Sequence, residues 1–412
     1  MMTPPRPYDV AAARQRFPSM QAGVAHFDGP GGSQVPREVG DAVARTLTSS
    51  IANAGTVTAA ERLAKRCVDE ARAAIADLVG GVADGVVFGR SMTALTYRFA
   101  DTLARGWSAG DEVVVTRLDH DANVRPWVQA AERAGASLRW VDFDPDTAEL
   151  TLDDVRAQLS GRTRVLAVTG ASNLLGTRPD VPAIAAAAHE VGALVYVDGV
   201  HLTPHAFVDI QALGADVYAC SPYKFLGPHL GCVIADPALL ETLHPDKLLP
   251  SSDAVPARFE LGTLPYELLA GTTAAVDVLA AIGAPHLDET VSRRERLAVS
   301  MAALEAHERA MGDRLDAGLD AIAGVRRFNH AAHRTPTTLF ALEGVASSDV
   351  HAHLADRGVN APASNFYAIE ASRRLGLGDH GAVRAGIAPT TDTAEVDRLL
   401  EGVAELITAR PA

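Results

Sequence analysis

Three cysteines are all that a chain of 412 residues carries. Cys67, Cys220 and Cys232 lie apart and form no CxxC pair, so neither a disulfide framework nor a zinc site is expected. Long apolar runs are missing too. The richest stretch, Ala183 to Val200, is interrupted by His189, Glu190 and Asp198, so nothing reaches the ~18 uncharged apolar residues of a membrane span. The opening MMTPPRPYDVAAARQRFP has no apolar signal core, which makes the cytoplasm the expected compartment. Basic clusters are absent and the formal net charge is -14, which argues against a nucleic-acid partner. Asp28 to Ser33, DGPGGS, is glycine-rich, but it matches neither GxGxxG nor a Walker loop, so nucleotide binding has no motif behind it. No repeat of fixed period and no low-complexity linker is found. What remains is small-molecule chemistry on a globular chain.

The composition supports that class: 48% apolar and 21% charged residues, with a mean hydropathy of +0.07, describe neither a disordered nor a membrane protein. The length predicts two domains. From about residue 85, β-branched runs alternate with amphipathic stretches. GVVFGR precedes a helix near Thr93 to Ala104, DEVVVTR a helix from Val124 to Ala134, SLRWVDF a helix from Leu152 to Leu159, and RVLAVTG the helix Val181 to Val191, with ALVYVDG following. This βαβα order predicts a mostly parallel sheet whose loops, beyond the strand C-terminal ends, gather around one crevice.

Around residues 285 to 325 the pattern becomes one long charged helix, with Leu297, Met301, Leu304, Met311, Leu315, Leu319 and Ile322 at helical spacing. These are core candidates on a helix that bridges domains. TLFALEG, a helix near Ser348 to Arg357, the strand-like VRAGI and a terminal helix from Thr393 to Ile407 follow. The expected organisation is an N-terminal arm over 1–30, a large domain over 31–285 and a smaller α+β domain over 286–412.

One segment carries most of the chemistry. ALVYVDGVHLTPHAFVDIQALGADVYACSPYKFLGPHLGCV places Asp198 at a strand end and Lys224 just after the next strand. Taken singly, the lysine reads as a solvated loop residue and the aspartate as a helix cap. Together they resemble the active-site core of class V enzymes that use pyridoxal 5'-phosphate (PLP), and within them the cysteine desulfurase-like proteins. HFDGPGGSQVP, VVFGRSMTALT, RLDHDANVRPW, GASNLLGT, RFELGTLPYE and VRAGIAPTTDTAEVDRLLE extend the resemblance over nearly the whole chain, in the family's order.

The resemblance implies an α/β protein of PLP fold type I, aspartate aminotransferase-like, with a mostly parallel large-domain sheet and a smaller α+β C-terminal domain. It also implies roles. Lys224 is the Schiff-base lysine, and Asp198 keeps the pyridine nitrogen protonated so that the ring accepts electrons. Ser91, Met92 and Thr93 sit at a helix start suited to the phosphate, and Ser221 offers it a hydroxyl. Thr263 corresponds to a residue that reaches the phosphate of a neighbouring subunit, which implies a homodimer. His120 resembles the histidine that stacks on the pyridine and moves protons. His201 falls where many relatives carry Gln against the phenolic oxygen, and Asn173 lies near that oxygen or the substrate. Tyr223 precedes the lysine, where relatives often have His, and its role is open. Arg384 matches the arginine that grips the substrate carboxylate, and DGPGGS lines the substrate entrance.

The chain departs from the desulfurases at one place. Their persulfide-forming cysteine belongs on a loop between about Gly358 and Gly376, and here that loop reads GVNAPASNFYAIEASRRLG, without cysteine. The leading expectation is a lyase that labilises the α-proton of an amino acid and expels a β-substituent, with sulfur as the expected leaving atom and no protein sulfur acceptor indicated. Aminotransfer or epimerisation would use the same residues. A non-catalytic PLP-binding protein is the rival from another class, and it would have no need of Arg384.

Overall fold

The β-branched runs become strands because both faces of their sheet are covered. In the computed structural model, which describes residues 8–288 and 290–408, seven segments form the main sheet. They are β1 (Val86–Gly89), β2 (Glu112–Thr116), β3 (Ser137–Val141), β4 (Thr163–Thr169), β5 (Leu194–Asp198), β6 (Val217–Cys220) and β7 (Gly231–Ala235). Successive side chains point to opposite faces. Val114, Leu166, Val168, Val195 and Val197 therefore join one core, while Val113, Val115, Val165, Ala167 and Tyr196 join another. Burial on both sides is what makes these strands read as nearly continuous apolar runs.

The strand order is β1-β7-β6-β5-β4-β2-β3, and every pair is parallel except those made by β7. The crossover helices Met92–Ala104, Arg125–Ala134 and Val181–Glu190 fall where the sequence places them. The helix expected at Leu152 to Leu159 ends at Arg156. There the backbone tightens: Gln158 and Leu159 donate back three residues, to Val155 and Arg156, ahead of Ser160.

The long helix Arg293–Asp320 starts at Ser292, whose hydroxyl accepts from the Glu295 N–H at 3.3 Å and whose own N–H is met by the Glu295 carboxylate at 3.1 Å. Its apolar residues divide along its length. Leu297, Met301 and Leu304 pack into the core of the main sheet, and Leu315 and Leu319 into a separate core, with Met311 and Ile322 against the latter. That second core lies on a four-stranded antiparallel sheet, in the order Ala363–Ser364, Ala382–Gly386, Thr337–Leu342, Val325–Arg327. Helices Ser347–Asp356 and Thr393–Thr408 pack against it through Val350, Leu354, Val396, Leu399 and Val403. Part of the segment read as an N-terminal arm joins this side: Ala25–His26 pairs in parallel with Val359–Asn360, and Ala25 and Phe27 are buried there. The first seven residues of that arm, Glu289 and the last four residues lie outside the described residues. No helix among the described residues is long and apolar enough to cross a membrane.

Candidate active site

Parallel strands deliver their C-terminal loops to one edge, and there the chain encloses a cavity of about 580 Å3. Its floor and one wall come from the loops after β1, β2, β4, β5 and β6. The opposite wall comes from Asp28 to Gly31, Ser364 to Tyr367 and Arg384. Eleven of the twelve candidate residues line it: Ser91, Met92, Thr93, His120, Asn173, Asp198, His201, Ser221, Tyr223, Lys224 and Arg384. Thr263 does not; it is exposed on a separate loop.

β6 ends at Cys220, and Ser221 leads into the single tight turn Pro222–Lys224 that swings the lysine over the cavity. The Lys224 ammonium donates to the Gly31 carbonyl at 2.9 Å and to that of Pro30. Burial, then the charge of Arg384, lowers its pKa to about 8; Asp28 and Asp198 offset part of the drop. Asp198, at the end of β5, is buried and accepts one backbone bond, from Val200 at 2.9 Å. Burial raises its pKa to about 6 against that bond and the charge of Lys224, so the carboxylate is mostly ionised at neutral pH.

His120 follows β2. Its Nδ1 accepts from the Ala122 N–H at 2.9 Å, which leaves the proton of a neutral ring on Nε2. Burial, then Lys224 and Arg384, push its pKa down to about 3, so it is neutral across the physiological range. The turn that carries it is built on Asp119, fully buried, which accepts from Asn123 Nδ2 at 2.7 Å and from the Thr116 hydroxyl. Asn123 Oδ1 in turn accepts from the indole of Trp127 at 3.0 Å. Burial and the neighbouring Asp198 raise the Asp119 pKa to about 8.

At the far end, Ser91 caps the helix Met92–Ala104, its hydroxyl accepting from the Ala94 N–H at 3.1 Å. The turn lies tight against β7. A Cβ at Gly231 would sit 2.1 Å from the carbonyl carbon of Ser91, so only glycine lets the helix start pack there. The free N–H groups of this helix start, with the buried Ser221 hydroxyl beside them, suit an anion. Tyr223 lines the cavity and stacks on His229, with ring centroids 4.8 Å apart.

Arg384 is 1% exposed, far from an ordinary strand arginine. It donates to Asp28 Oδ1 at 2.6 Å and to the Asn173 carbonyl at 3.1 Å, and its guanidinium lies 3.7 Å from the centre of the Phe366 ring. Burial lowers its pKa to about 10 although Asp28 opposes this. Arg384 Nε and Asn173 Oδ1 are both buried without a hydrogen-bond partner among the described residues. Orphaned buried groups of this kind mark a place where a ligand completes the bonding. Asn173 Nδ2 donates to the Phe366 carbonyl at 2.9 Å. His201 is buried, with Nε2 2.9 Å from the Thr337 hydroxyl and 3.0 Å from that of Thr335. Burial, then His205, hold its pKa well below the usual histidine range.

Sequence reasoning did not single out Asp28 as the partner of Arg384, Asp119 as the support of His120, or the aromatic pair Phe366 and Tyr367. Tyr367 stacks beside His120, with ring centroids 5.6 Å apart. The cysteines are elsewhere. Cys220 and Cys232 face each other across β6 and β7, Cys67 lies in the helix Ala59–Val79, all three are buried, and none lines the cavity. Burial raises the pKa of Cys67 and of Cys232, so neither is poised as a thiolate.

Residues 25–399 match the family model described as Aminotransferase class-V. An uncharacterized protein of Mycobacterium tuberculosis is 35% identical over 407 residues, covering 97% of this chain and 99% of its own length. A probable cysteine desulfurase of Mycobacterium leprae is 33% identical, with 96% of each chain covered. Among solved structures, an apo cysteine desulfurase from Thermococcus onnurineus superposes with a TM-score of 0.87 at 23% identity, over 100% of this chain and 99% of the other. The cysteine desulfurase CsdA of Escherichia coli gives a TM-score of 0.85 at 24% identity, over 98% and 99%. These two likenesses establish the shared fold.

Proposed function

The chain belongs to the class-V aminotransferase family, and on that premise we propose that it is a PLP-dependent enzyme acting on an amino acid, a carbon–sulfur β-eliminating lyase that works without a cysteine nucleophile. The observation that carries this reading is one cavity that holds Lys224, Asp198 and Arg384 and no thiol.

The residues fit the cofactor. A buried carboxylate with no cation hydrogen-bonded to it among the described residues, Asp198, suits a pyridinium nitrogen; the helix start at Ser91 to Thr93 and the Ser221 hydroxyl suit a phosphate; and Lys224 lines the same cavity. When bound, PLP supplies an electron sink for the pair left at Cα. Everything else falls to the chain. Arg384 holds the substrate carboxylate through its unpartnered Nε–H, while the unpartnered Asn173 Oδ1 is left to accept from a donor on the ligand. Lys224, its pKa lowered from 10.5 to about 8, has a far larger free-amine fraction near neutral pH than an ordinary lysine, and in that form it takes the α-proton. The neutral His120 keeps an Nε2 proton for the departing side of the substrate. Asp198, mostly ionised at neutral pH, would hold the positive charge of the ring nitrogen.

Residues 31–285 would then form the cofactor-binding domain and 286–412 the smaller domain that supplies Arg384. Thr263, exposed in the single chain, would reach the phosphate site of a second copy, so the working unit would be a homodimer; a fully active monomer in sedimentation would rule this out. The decisive experiment is a screen of amino acids for spectral change of the holoprotein, with mass spectrometry of the products. Release of a thiol with pyruvate and ammonium supports the lyase. Exchange of an amino group with a 2-oxoacid would make it an aminotransferase, inversion at Cα would make it an epimerase, and a spectrum unmoved by every amino acid would favour a binding protein without turnover.

A further inference from the structure

The cysteine-free loop carries unusual backbone strain. Phe366 and Tyr367 are consecutive, bulky and both left-handed, with φ of 51° and 58°. L-residues other than glycine rarely adopt this region, and such strain persists only where the surroundings over-determine it, often at functional sites. Here four hydrogen bonds do so. Within the loop, the Phe366 N–H donates to Ser364 Oγ at 3.2 Å and the Tyr367 N–H to Asn365 Oδ1 at 2.9 Å. From the opposite wall, the Asp121 N–H donates to the Tyr367 carbonyl at 2.7 Å and Asn173 Nδ2 to the Phe366 carbonyl at 2.9 Å.

The turn sends the two rings different ways. Phe366 folds inward over Arg384, whereas Tyr367 is left 73% exposed, beside His120 at the cavity. A ring so exposed adds little to any core, so packing does not account for holding it there.

We infer that Tyr367 is a specificity-determining residue: beside His120 of the opposite wall, its ring is the surface against which the substrate's side chain lies beyond Cβ, and it selects an S-substituted cysteine over free cysteine. The inference rests on the lyase reading above. Arg384, Lys224, His120 and Tyr367 line one cavity, so a substrate with its carboxylate on Arg384 and Cα at Lys224 has room to extend its side chain to His120 and Tyr367. A thioether sulfur and the group beyond it make favourable contact with an aromatic ring.

No cysteine of this chain lines the cavity to take sulfur as a persulfide. Elimination needs no such acceptor: free cysteine would lose hydrogen sulfide and an S-substituted cysteine a thiol, so the choice between them falls to the surface beyond Cβ. Lys224 removes the Cα proton, its electron pair forms the Cα–Cβ double bond, and the Cβ–S pair leaves with sulfur, which gains a proton and departs as a thiol. Water hydrolyses the three-carbon enamine to pyruvate and ammonium, with no oxidant or reductant required.

The test uses the PLP-loaded protein and reads amino-acid binding from the cofactor spectrum, apart from turnover. S-benzylcysteine, S-methylcysteine, cysteine and alanine are compared in the parent, Tyr367→Phe and Tyr367→Ala. Tyr367→Ala is expected to weaken S-benzylcysteine by about tenfold relative to alanine, the weight of one aromatic contact, while Tyr367→Phe keeps the preference. An unchanged ratio in Tyr367→Ala, or no response to S-substituted cysteines in the parent, overturns the inference. Selective binding that Tyr367→Ala abolishes, without thiol release from any of them, would uphold the selective wall and overturn the lyase reading alone.

Discussion

The two walls of the cavity are built by different means. The wall of Lys224, Asp198 and His120 hangs on strand ends, and each side chain is fixed by a short local device: a single tight turn, one backbone bond from Val200, one backbone bond from Ala122. The facing wall has no such frame. Arg384 stands on a strand of the smaller sheet, but its partners Asp28 and Asn173 come from segments 356 and 211 residues away, and Phe366 and Tyr367 hold left-handed backbone through bonds to the other wall. Rigid scaffolds keep the reaction constant, and loops set what is admitted. The first wall should therefore govern turnover and the second recognition.

Lys224→Ala against Arg384→Ala is the sharpest way to break that division. If Lys224 is both covalent tether and base, as proposed, its removal should lower turnover by ~10^3 or more, and borohydride reduction should no longer fix the cofactor to the chain. A label mapped to another lysine in the parent would remove Lys224 from its role. Removing Arg384 should leave the tether intact and raise KM more than it lowers kcat, with a loss in kcat/KM of ~10 to 100-fold, the weight of a charge-assisted pair. A collapse of kcat with KM unchanged would move Arg384 to the turnover side.

A smaller effect comes from His120. Its ordinary pKa of 6.5 falls to about 3 on folding, so between those values the unfolded chain binds a proton that the folded chain refuses. Stability therefore drops as pH falls from about 6.5 toward 3, and does not change through this group above 6.5. His120→Gln should flatten the acid side of a plot of Tm against pH. An unaltered profile would mean that the imidazole takes up its proton in the folded state.

The same division sets what the sequence makes legible. β2 reads as EVVVT because both its faces are buried, and Asp198, Ser221 and Lys224 sit at fixed offsets from strand ends, so their positions follow from the βαβ pattern. The reversal of β7 was within reach too: only ten residues separate Cys220 from Gly231, too few for the crossover that a parallel partner requires. Helices Ala59–Val79 and Tyr266–Ile282, which pack against each other, are hard to see in the sequence because neither stands in the strand-helix alternation. The second wall was legible only in part. Arg384 is found by its motif, but its pairing with Asp28 is a tertiary fact, and nothing in SNFY announces two left-handed residues, since neither is Gly or Asn. Thr263 shows why a motif is not a location: within one chain it stands outside the cavity.

The smallest expected effect on activity belongs to the cysteines, and it sharpens the comparison because it concerns neither wall. Cys220 and Cys232 are fully buried on paired strands and Cys67 is buried in a helix, so all three serve as small apolar fillers. Replacing each with Ala removes a sulfur from a packed core, at a cost of ~1 kcal/mol per site in stability, and should lower Tm. Activity per folded molecule should stay within about twofold of the parent, because an elimination that releases its sulfur as a free thiol uses no protein thiolate. Tm and turnover measured on the same triple variant separate the two contributions. If turnover disappears from a variant that still melts cooperatively, and a persulfide is trapped on the parent chain, then sulfur passes through a cysteine that must open from the core to reach the cavity. The division of labour between the two walls would then have to include a third, moving part.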